Sequence, residues 1–291
     1  MKKVLIAGAT GHLGRAVTRE LRDRGCWTRA LVRDPGGLRD TRHVINDVVA
    51  GDVATLSLLE RACAGVDVVF SCLGSPISLS PSWGQRRASH REVDYALNKK
   101  LLEAAMHAKA SKFVYVSMFG AEKLRHLEYV RAHEDFVDAL KQSGITYAVV
   151  RPTGFFYSLA ELVKLARHPA MALIGSGERR TNPIHEDDLA VVCADAIEGE
   201  QTEYAAGGQE TYTRKEINEL AFAALGKKPR MIRVPPSLVK AGVRAMRPFD
   251  PRLSELLLFL VSVSQVDCVA PPTGVHSLKS YYAEVAKGYR G

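Results

Sequence analysis

Three glycines stand at equal spacing near the head of the chain, in Val4-Leu5-Ile6-Ala7-Gly8-Ala9-Thr10-Gly11-His12-Leu13-Gly14. Glycine lets a backbone bend tightly and lets a pyrophosphate approach the start of a helix, where unpaired N–H groups favour anions. An apolar run precedes the turn, and a helical pattern at Ala16, Val17 and Leu21 follows it, the context a dinucleotide site requires. Gly8, Thr10, Gly11, His12, Leu13 and Gly14 are therefore the candidate pyrophosphate cradle. The alternative is an ordinary tight strand-to-helix turn. Arg33 ends the second extended run, where NAD-preferring folds place an acidic residue on the ribose hydroxyls. An arginine there pairs instead with a 2′-phosphate, which favours NADP over NAD. Two alternatives stand beside that: Asp34 turning inward, or Arg33 as a solvated strand-end charge. Asp52, after Gly51, suits the N-cap of a helix over Ala54–Cys63. Cys72 reads as a small buried residue and not as a nucleophile. The nine histidines show no clustered ligand spacing, so no metal site is expected.

Strands and helices alternate in the pattern needed to position these residues. Extended runs are expected at Val4–Ala7, Thr28–Val32, Asp47–Ala50, Val66–Ser71, Phe113–Ser117 and Thr146–Val150. Helices are expected at Arg15–Arg24, Ala54–Cys63, Val93–Ala108 and Val130–Lys141. That alternation predicts an α/β protein with a mostly parallel, doubly wound sheet of Rossmann type. Ligands in such sheets bind beyond the carboxyl ends of the strands, and every candidate residue falls just after one. The division expected is a dinucleotide-binding domain over 1–152 and a smaller substrate-covering subdomain over 153–291, interleaved with the first. Within the latter, Met171–Ile174 and Arg180–Ile184 read as extended pieces and Asp187–Ile197 as a helix. Thr213 and Glu216 have capping-box spacing, and Pro235-Pro236 breaks the chain before another helix. The run Leu253–Val266 reads as a buried or lid helix, with a surface for a large apolar substrate or a partner as the alternative.

Bulk composition narrows the class further. At 46% hydrophobic and 25% charged residues, the chain has the make-up of a soluble globular protein. A net charge of +8 implies a basic, well-solvated surface or affinity for anionic substrates. Clusters such as Arg86-Arg87 and Arg179-Arg180 are short, and no nucleic-acid partner is expected. Five dispersed cysteines, none in a C-x-x-C pair, fit a reducing compartment and no disulfide framework. No signal peptide is read before the first strand, and the longest apolar run, Leu256–Val263, is too short to span a bilayer. A cytoplasmic location is expected.

Several segments together resemble the atypical short-chain dehydrogenase/reductase superfamily. The G-x-x-G-x-x-G spacing is similar to that of its extended and atypical branches. Val93-Asp94-Tyr95-Ala96-Leu97-Asn98 resembles its V-D-x-x-x-N helix, and Tyr115-Val116-Ser117 its active-site strand. Ser143-Gly144-Ile145-Thr146-Tyr147 followed by Arg151-Pro152-Thr153-Gly154-Phe155-Phe156 resembles its S-G-x-x-Y…R-P-x-x-F segment. Asn182-Pro183-Ile184-His185 through Asp188-Leu189-Ala190 resembles its later N-P-I-x-x-x-D-L-A segment. The resemblance extends over residues 1–225 and is strongest to NmrA-like and divinyl-chlorophyllide-reductase-like members.

The resemblance implies roles. Asp52 and Val53 would contact adenine, and Cys72, Leu73 and Gly74 would run beside its ribose. Pro152, Thr153 and Phe155 would border the nicotinamide, with Phe155 and Phe156 either in the pocket wall or in the core. The superfamily's Ser, Tyr and Lys of Y-x-x-x-K would map to Ser117, Tyr129 and His133. A lysine cation lowers the tyrosine pKa and holds the nicotinamide ribose. Here the fourth residue after Tyr129 is His133, which carries no permanent charge near neutral pH. Histidine can still bond a ribose or shuttle a proton. Alternatively, Tyr129 only starts a helix and His133 lies on its partly buried face. The expected function is NADP(H)-dependent hydride transfer to a carbonyl, quinone or activated double bond on an apolar or quinone-like small molecule. The rival is a non-catalytic NADP-sensing regulator with a protein partner, and a homodimer fits either. A third possibility is an assembly factor using the Leu253–Val266 surface.

Overall fold

Short runs of fully buried residues make the strands, and amphipathic segments between them make the helices that cover both faces. The computed structural model describes residues 1–74, 89 and 91–289; Ser75, Arg86 and Arg87 lie outside these. The first half alternates β1 (Lys3–Ala7), α1 (His12–Asp23), β2 (Trp27–Val32), β3 (Asp47–Ala50), α2 (Leu56–Cys63), β4 (Val68–Ser71), α3 (Asn98–His107), β5 (Lys112–Val116), α4 (Glu128–Gln142) and β6 (Thr146–Pro152). The second half adds α5 (Phe156–Leu165), β7 (Met171–Ile174), β8 (Arg180–Thr181), α6 (Glu186–Glu198), β9 (Glu203–Ala206), β10 (Tyr212–Thr213), α7 (Arg214–Ala224), β11 (Met231–Val234), α8 (Pro236–Met246), α9 (Pro251–Val263) and α10 (Leu278–Lys287).

The main sheet has the order β3-β2-β1-β4-β5-β6-β9, and every pairing in it is parallel. Side chains alternate across it, as a strand's period of two demands. Val4, Ile6, Phe70, Val114 and Val150 pack with Ala16, Val17 and Leu21 of α1 and with Leu189, Cys193 and Ile197 of α6. Leu5, Val69, Phe113, Tyr115 and Val149 pack on the other face with Leu59 of α2, Leu101 of α3 and Phe136 and Leu140 of α4. This is the doubly wound arrangement that the alternation predicts.

The differences from the sequence reading are local. β9 is a strand the pattern did not reveal; it extends the main sheet beside β6, and α6 returns to cover that sheet. The Val93–Ala108 helix is two pieces: a π-type segment, Arg91–Leu97, runs into α3. Arg180–Ile184 shrinks to the two residues of β8, with Ile184 in an isolated bridge to Phe155. α5 and α10 form, with α7, a separate apolar layer around Phe156, Phe222 and Tyr282. Phe156 thus belongs to a core, not to a pocket wall. The Thr213–Glu216 capping box is present, each side chain bonding the other residue's N–H. Among the described residues no helix is long and apolar enough to cross a membrane.

Candidate functional site

Because the strands are parallel, the residues that follow β1 to β6 emerge at one edge of the sheet. Gly8, Arg33, Asp52, Cys72, Ser117 and Thr153 all lie at that edge, one or two residues past their strands. The strand order reverses at β1, whose neighbours are β2 and β4, so the crevice opens between the turn after β1 and the loop after β4. These two segments touch. Gly8 has φ +99°, and a Cβ there would lie 2.8 Å from the Cys72 Sγ. A Cβ on Gly14 would lie 2.1 Å from the Gly8 carbonyl oxygen, so α1 can meet the turn only through glycine. Gly11 is the N-cap of α1 and makes no side-chain capping bond, which leaves the helix start to a ligand. Arg15 steadies the turn by donating from Nη1 to the Thr10 carbonyl at 2.6 Å.

At the side of the sheet formed by β2 and β3, Asp34 is committed locally. Its Oδ1 accepts the Gly36 N–H at 2.9 Å and caps the 3-10 segment that follows, so it does not turn toward the crevice. Arg33 is exposed at the end of β2. Asp52 is not the N-cap of α2: that position belongs to Thr55, because Asp52 closes a tight turn just ahead, its Oδ1 accepting the Ala54 N–H at 3.0 Å. Val53 packs half-buried beside the α2 layer. The Cys72 thiol lies under the Gly8 turn, 3.5 Å from the Ala7 carbonyl, and burial pushes its pKa up to about 12. The loop after β4 is held by Asn98. Its side chain accepts from the Ser71 hydroxyl at 2.6 Å and donates to the Leu73 carbonyl at 3.3 Å. Gly74 faces both Asp94 and His133, with room for a Cβ no nearer than 3.4 Å to the Asp94 carboxylate.

The opposite end of the crevice is built on β5 and α4. Tyr115 and Ser117 share one side of the strand by its period of two, and Tyr129 and His133 share one side of the helix at a spacing of four. The rings of Tyr129 and His133 meet edge to face at 5.1 Å, and Phe259 of α9 packs on Tyr129 at 4.8 Å. Tyr115 bonds the His133 Nδ1 at 2.6 Å. Burial first, then the nearby Asp94 and Tyr129, raise the Tyr115 pKa well above its ordinary value. A protonated phenol can donate to a bare Nδ1 or accept from an Nδ1–H, so the direction of this bond follows the imidazole tautomer. Burial likewise raises the Tyr129 pKa, with Asp94 and Tyr157 acting in the same direction. A lysine would have pulled it down.

Ser117 is engaged elsewhere. Its hydroxyl donates to Glu134 Oε1 at 2.6 Å, and Arg151 donates to the same carboxylate through Nη1 at 2.8 Å and Nη2 at 3.2 Å. Arg151 also reaches the Met118 carbonyl at 3.3 Å and Glu203 at 2.8 Å. Glu134 was missed in the sequence because an ion pair between elements leaves no periodic signal; Tyr115 was named only within the resembled strand, though its spacing of two from Ser117 was a signal that could have found it.

The loop after β6 is stitched down. The Thr153 N–H donates to the Ala206 carbonyl at 3.0 Å and its hydroxyl to the Asn182 carbonyl at 2.5 Å. Pro152 ends the strand, and Phe155 lies half-buried against the sheet core. Tyr157, also missed, stacks on Phe155 at 5.0 Å and on His12 at 4.5 Å, so three rings bridge the glycine turn and α5. Burial, aided by Arg15 and Arg39 and opposed by Glu186, lowers the His12 pKa and keeps its ring neutral. The N-P-I segment is a structural joint: the Asn182 amide bonds Gly208 and Ala270, and Asp188 accepts the Val275 and His276 N–H groups. His185, Asp187 and His276 do gather nearby, but the Nδ1 of His185 accepts the Asp187 N–H and that of His276 bonds Asp188.

Comparison with known proteins places this geometry. Residues 8–200 match the NAD(P)H-binding family. The chain is 33% identical over 256 residues to the divinyl chlorophyllide a 8-vinyl-reductase of Cucumis sativus, across 80% of this chain and 59% of that protein. It is 30% identical to a photosystem II assembly factor of Cyanophora paradoxa, across 54% of this chain and 46% of that protein. The chain thus spans about 60% of the length of the vinyl reductases it matches. Among solved structures, an NADPH-dependent quinone oxidoreductase from Escherichia coli complexed with NADPH superposes with a TM-score of 0.69 at 20% identity, over 98% of this chain and 94% of that one.

Proposed function

Since the chain belongs to the NAD(P)H-binding family of atypical short-chain dehydrogenases/reductases, we propose that it is an NADP(H)-dependent reductase of an apolar carbonyl, quinone or activated double bond. The observation that carries this reading is that the glycine turn after β1 meets Cys72 after β4, and that Gly74, two residues on, faces His133, which packs on Tyr129. The cradle fits a diphosphate, since glycine at 8 and 14 lets the start of α1 pack directly on the turn after β1, and that helix start offers its N–H groups. When bound, the nicotinamide supplies the hydride. The turn from Gly8 to Gly14, with Thr10, Gly11, His12 and Leu13, holds the diphosphate. Arg33, with Asp34 drawn away, holds a 2′-phosphate, which favours NADP over NAD. Asp52 and Val53 lie by the adenine, and Cys72, Leu73 and Gly74 by its ribose. Pro152, Thr153 and Phe155 wall the nicotinamide end.

His133 would orient the nicotinamide ribose, and Tyr129 would give its proton to the acceptor. Burial keeps the Tyr129 phenol protonated, the state a donor starts from. The phenolate left behind has a histidine where a lysine cation would stand, and solvent must return its proton before the next turnover. Ser117 polarises the acceptor oxygen only by redirecting its proton from Glu134. Among acceptors, an activated double bond is favoured by the relatives named as vinyl reductases.

The raised Tyr129 pKa and His133 in the lysine position favour a second reading, a dinucleotide-sensing regulator that binds NADP without turning it over. Calorimetric titration with NADPH and NADH, followed by NADPH oxidation against quinones, enones and aldehydes, separates the two. Turnover that vanishes in Tyr129→Phe while NADPH binding persists supports the reductase. Binding without turnover across the panel supports the sensor. Absence of binding to either dinucleotide refutes both.

A further inference from the structure

The stretch from Lys227 to Asp250 carries seven Lys or Arg residues and one acid, Asp250. That acid is buried and spent on capping α9, where its Oδ1 accepts the Leu253 N–H at 3.0 Å. Lys228, Arg230, Arg233, Lys240 and Arg244 form no ion pair among the described residues; Lys227 bonds backbone carbonyls and Arg247 pairs with Glu255. Much of the chain's +8 charge therefore resides in one short segment.

The same segment exposes apolar side chains that the fold does not use. α8 packs on α9. Val239, Val243 and Met246 follow helical spacing and are at least half-buried. Leu238, Ala241 and Ala245 form a second stripe at the same spacing on the outward side, all exposed, and Arg244 borders it. Leu238 is 64% exposed, Ile232 just before the helix is 60% exposed, and Phe249 just after it is 77% exposed. An ordinary solvated helix presents polar residues there. A helix with cations beside an outward apolar stripe has the composition that lies in the interface of a bilayer.

We propose that α8, with Ile232 and Phe249 at its two ends, is a docking surface for an anionic lipid bilayer. The cations meet the headgroups, and Leu238, Phe249 and Ile232 enter the acyl boundary. Aliphatic and aromatic groups among the cations favour lipid over nucleic acid, whose phosphates would leave them wet. The surface lies one helix away from the crevice: α8 covers α9, and Phe259 of α9 covers Tyr129. An apolar substrate dissolved in the bilayer would therefore meet the protein beside its reaction end. The docking itself does not depend on the proposed reaction.

The test is co-sedimentation of the full chain with phosphatidylcholine vesicles and with phosphatidylcholine–phosphatidylglycerol vesicles mixed roughly 2:1. Binding is expected only to the anionic vesicles, and raised salt should weaken it. Each cation removed should lower partitioning about fivefold, so Arg233→Ser with Arg244→Ser should lower it about thirtyfold. Leu238→Ser with Phe249→Ser should also release the protein while leaving NADPH binding and the circular dichroism spectrum unchanged. No sedimentation, equal binding to neutral vesicles, or binding that survives the Leu238→Ser/Phe249→Ser pair overturns the proposal. Equal retention on soluble polyglutamate would reassign the surface to an acidic protein and overturn it as well.

Discussion

Arg151→Met tests the network beneath the reaction end. The Glu134 carboxylate is 10% exposed and the Arg151 side chain 17%, and the two meet through paired bonds at 2.8 and 3.2 Å. Removing the guanidinium leaves a buried carboxylate with one remaining hydrogen bond among those described here, from Ser117. Breaking a buried pair by deleting one partner costs about 3–5 kcal/mol, against about 0–1 for an exposed one. The lost contact to Glu203, which is 41% exposed, belongs to the second class and adds little. A loss of that size lowers the melting temperature by about 5–8 °C in a chain of this length. Replacing both members, Arg151→Met with Glu134→Leu, removes the stranded charge and should recover most of the loss, a coupling of at least about 2 kcal/mol. Urea unfolding of wild type, both single variants and the double variant measures it. A single-variant loss below about 1 kcal/mol, or a cycle additive within about 0.5 kcal/mol, refutes the assignment of a buried, mutually dependent pair.

Gly14→Ala places a methyl 2.1 Å from the Gly8 carbonyl and should abolish NADPH binding, whereas Gly242→Ala, whose methyl meets nothing within 4 Å, should leave binding intact and add about 0.5–1 kcal/mol of stability; calorimetry and thermal melts distinguish them. Arg33→Ser should weaken NADPH by about tenfold to a hundredfold and leave NADH unchanged, the worth of a charge-assisted bond to phosphate; an equal loss for both dinucleotides would remove Arg33 from the 2′-phosphate site. Burial pushes the Cys63 and Cys72 thiols up to about 12 from an ordinary 9.0. The folded state thus disfavours the thiolate, so this stability is intact below pH 9 and is lost as pH rises from 9 toward 12. Urea midpoints should fall across that window, and Cys63→Ala should flatten the fall.

The strands up to Val150 were legible because a strand buried on both faces is a nearly unbroken apolar run, and the helices between them keep one apolar stripe. The glycine turn was legible because close approach at Gly14 admits no other residue. β9 was not, since Glu203-Tyr204-Ala205-Ala206 is a short edge strand whose partner lies about fifty residues earlier. α5 was hidden by Phe155-Phe156, which read equally as pocket wall or core; Phe156 serves the layer with Phe222 and Tyr282. The engagement of Ser117 with Glu134 and Arg151 joins three elements and carries no local pattern. Asp52 was misplaced because an aspartate closing a turn and one capping a helix look the same in sequence.

The late arrival of β9 and α6 bears on how the chain is made. Lys112 of β5 donates to the Ala196 and Gly199 carbonyls, and Arg151 of β6 binds Glu203. One whole face of the central sheet is roofed in part by Leu189, Cys193 and Ile197. A nascent chain that has emerged only as far as residue 152 therefore holds an open β6 edge and an apolar face covered by α1 but not by α6, two features that invite aggregation. The sheet gains its last strand and the rest of its cover only once residue 206 leaves the ribosome, so a fragment ending at Pro152 is expected to unfold at lower urea than one ending at Ala206.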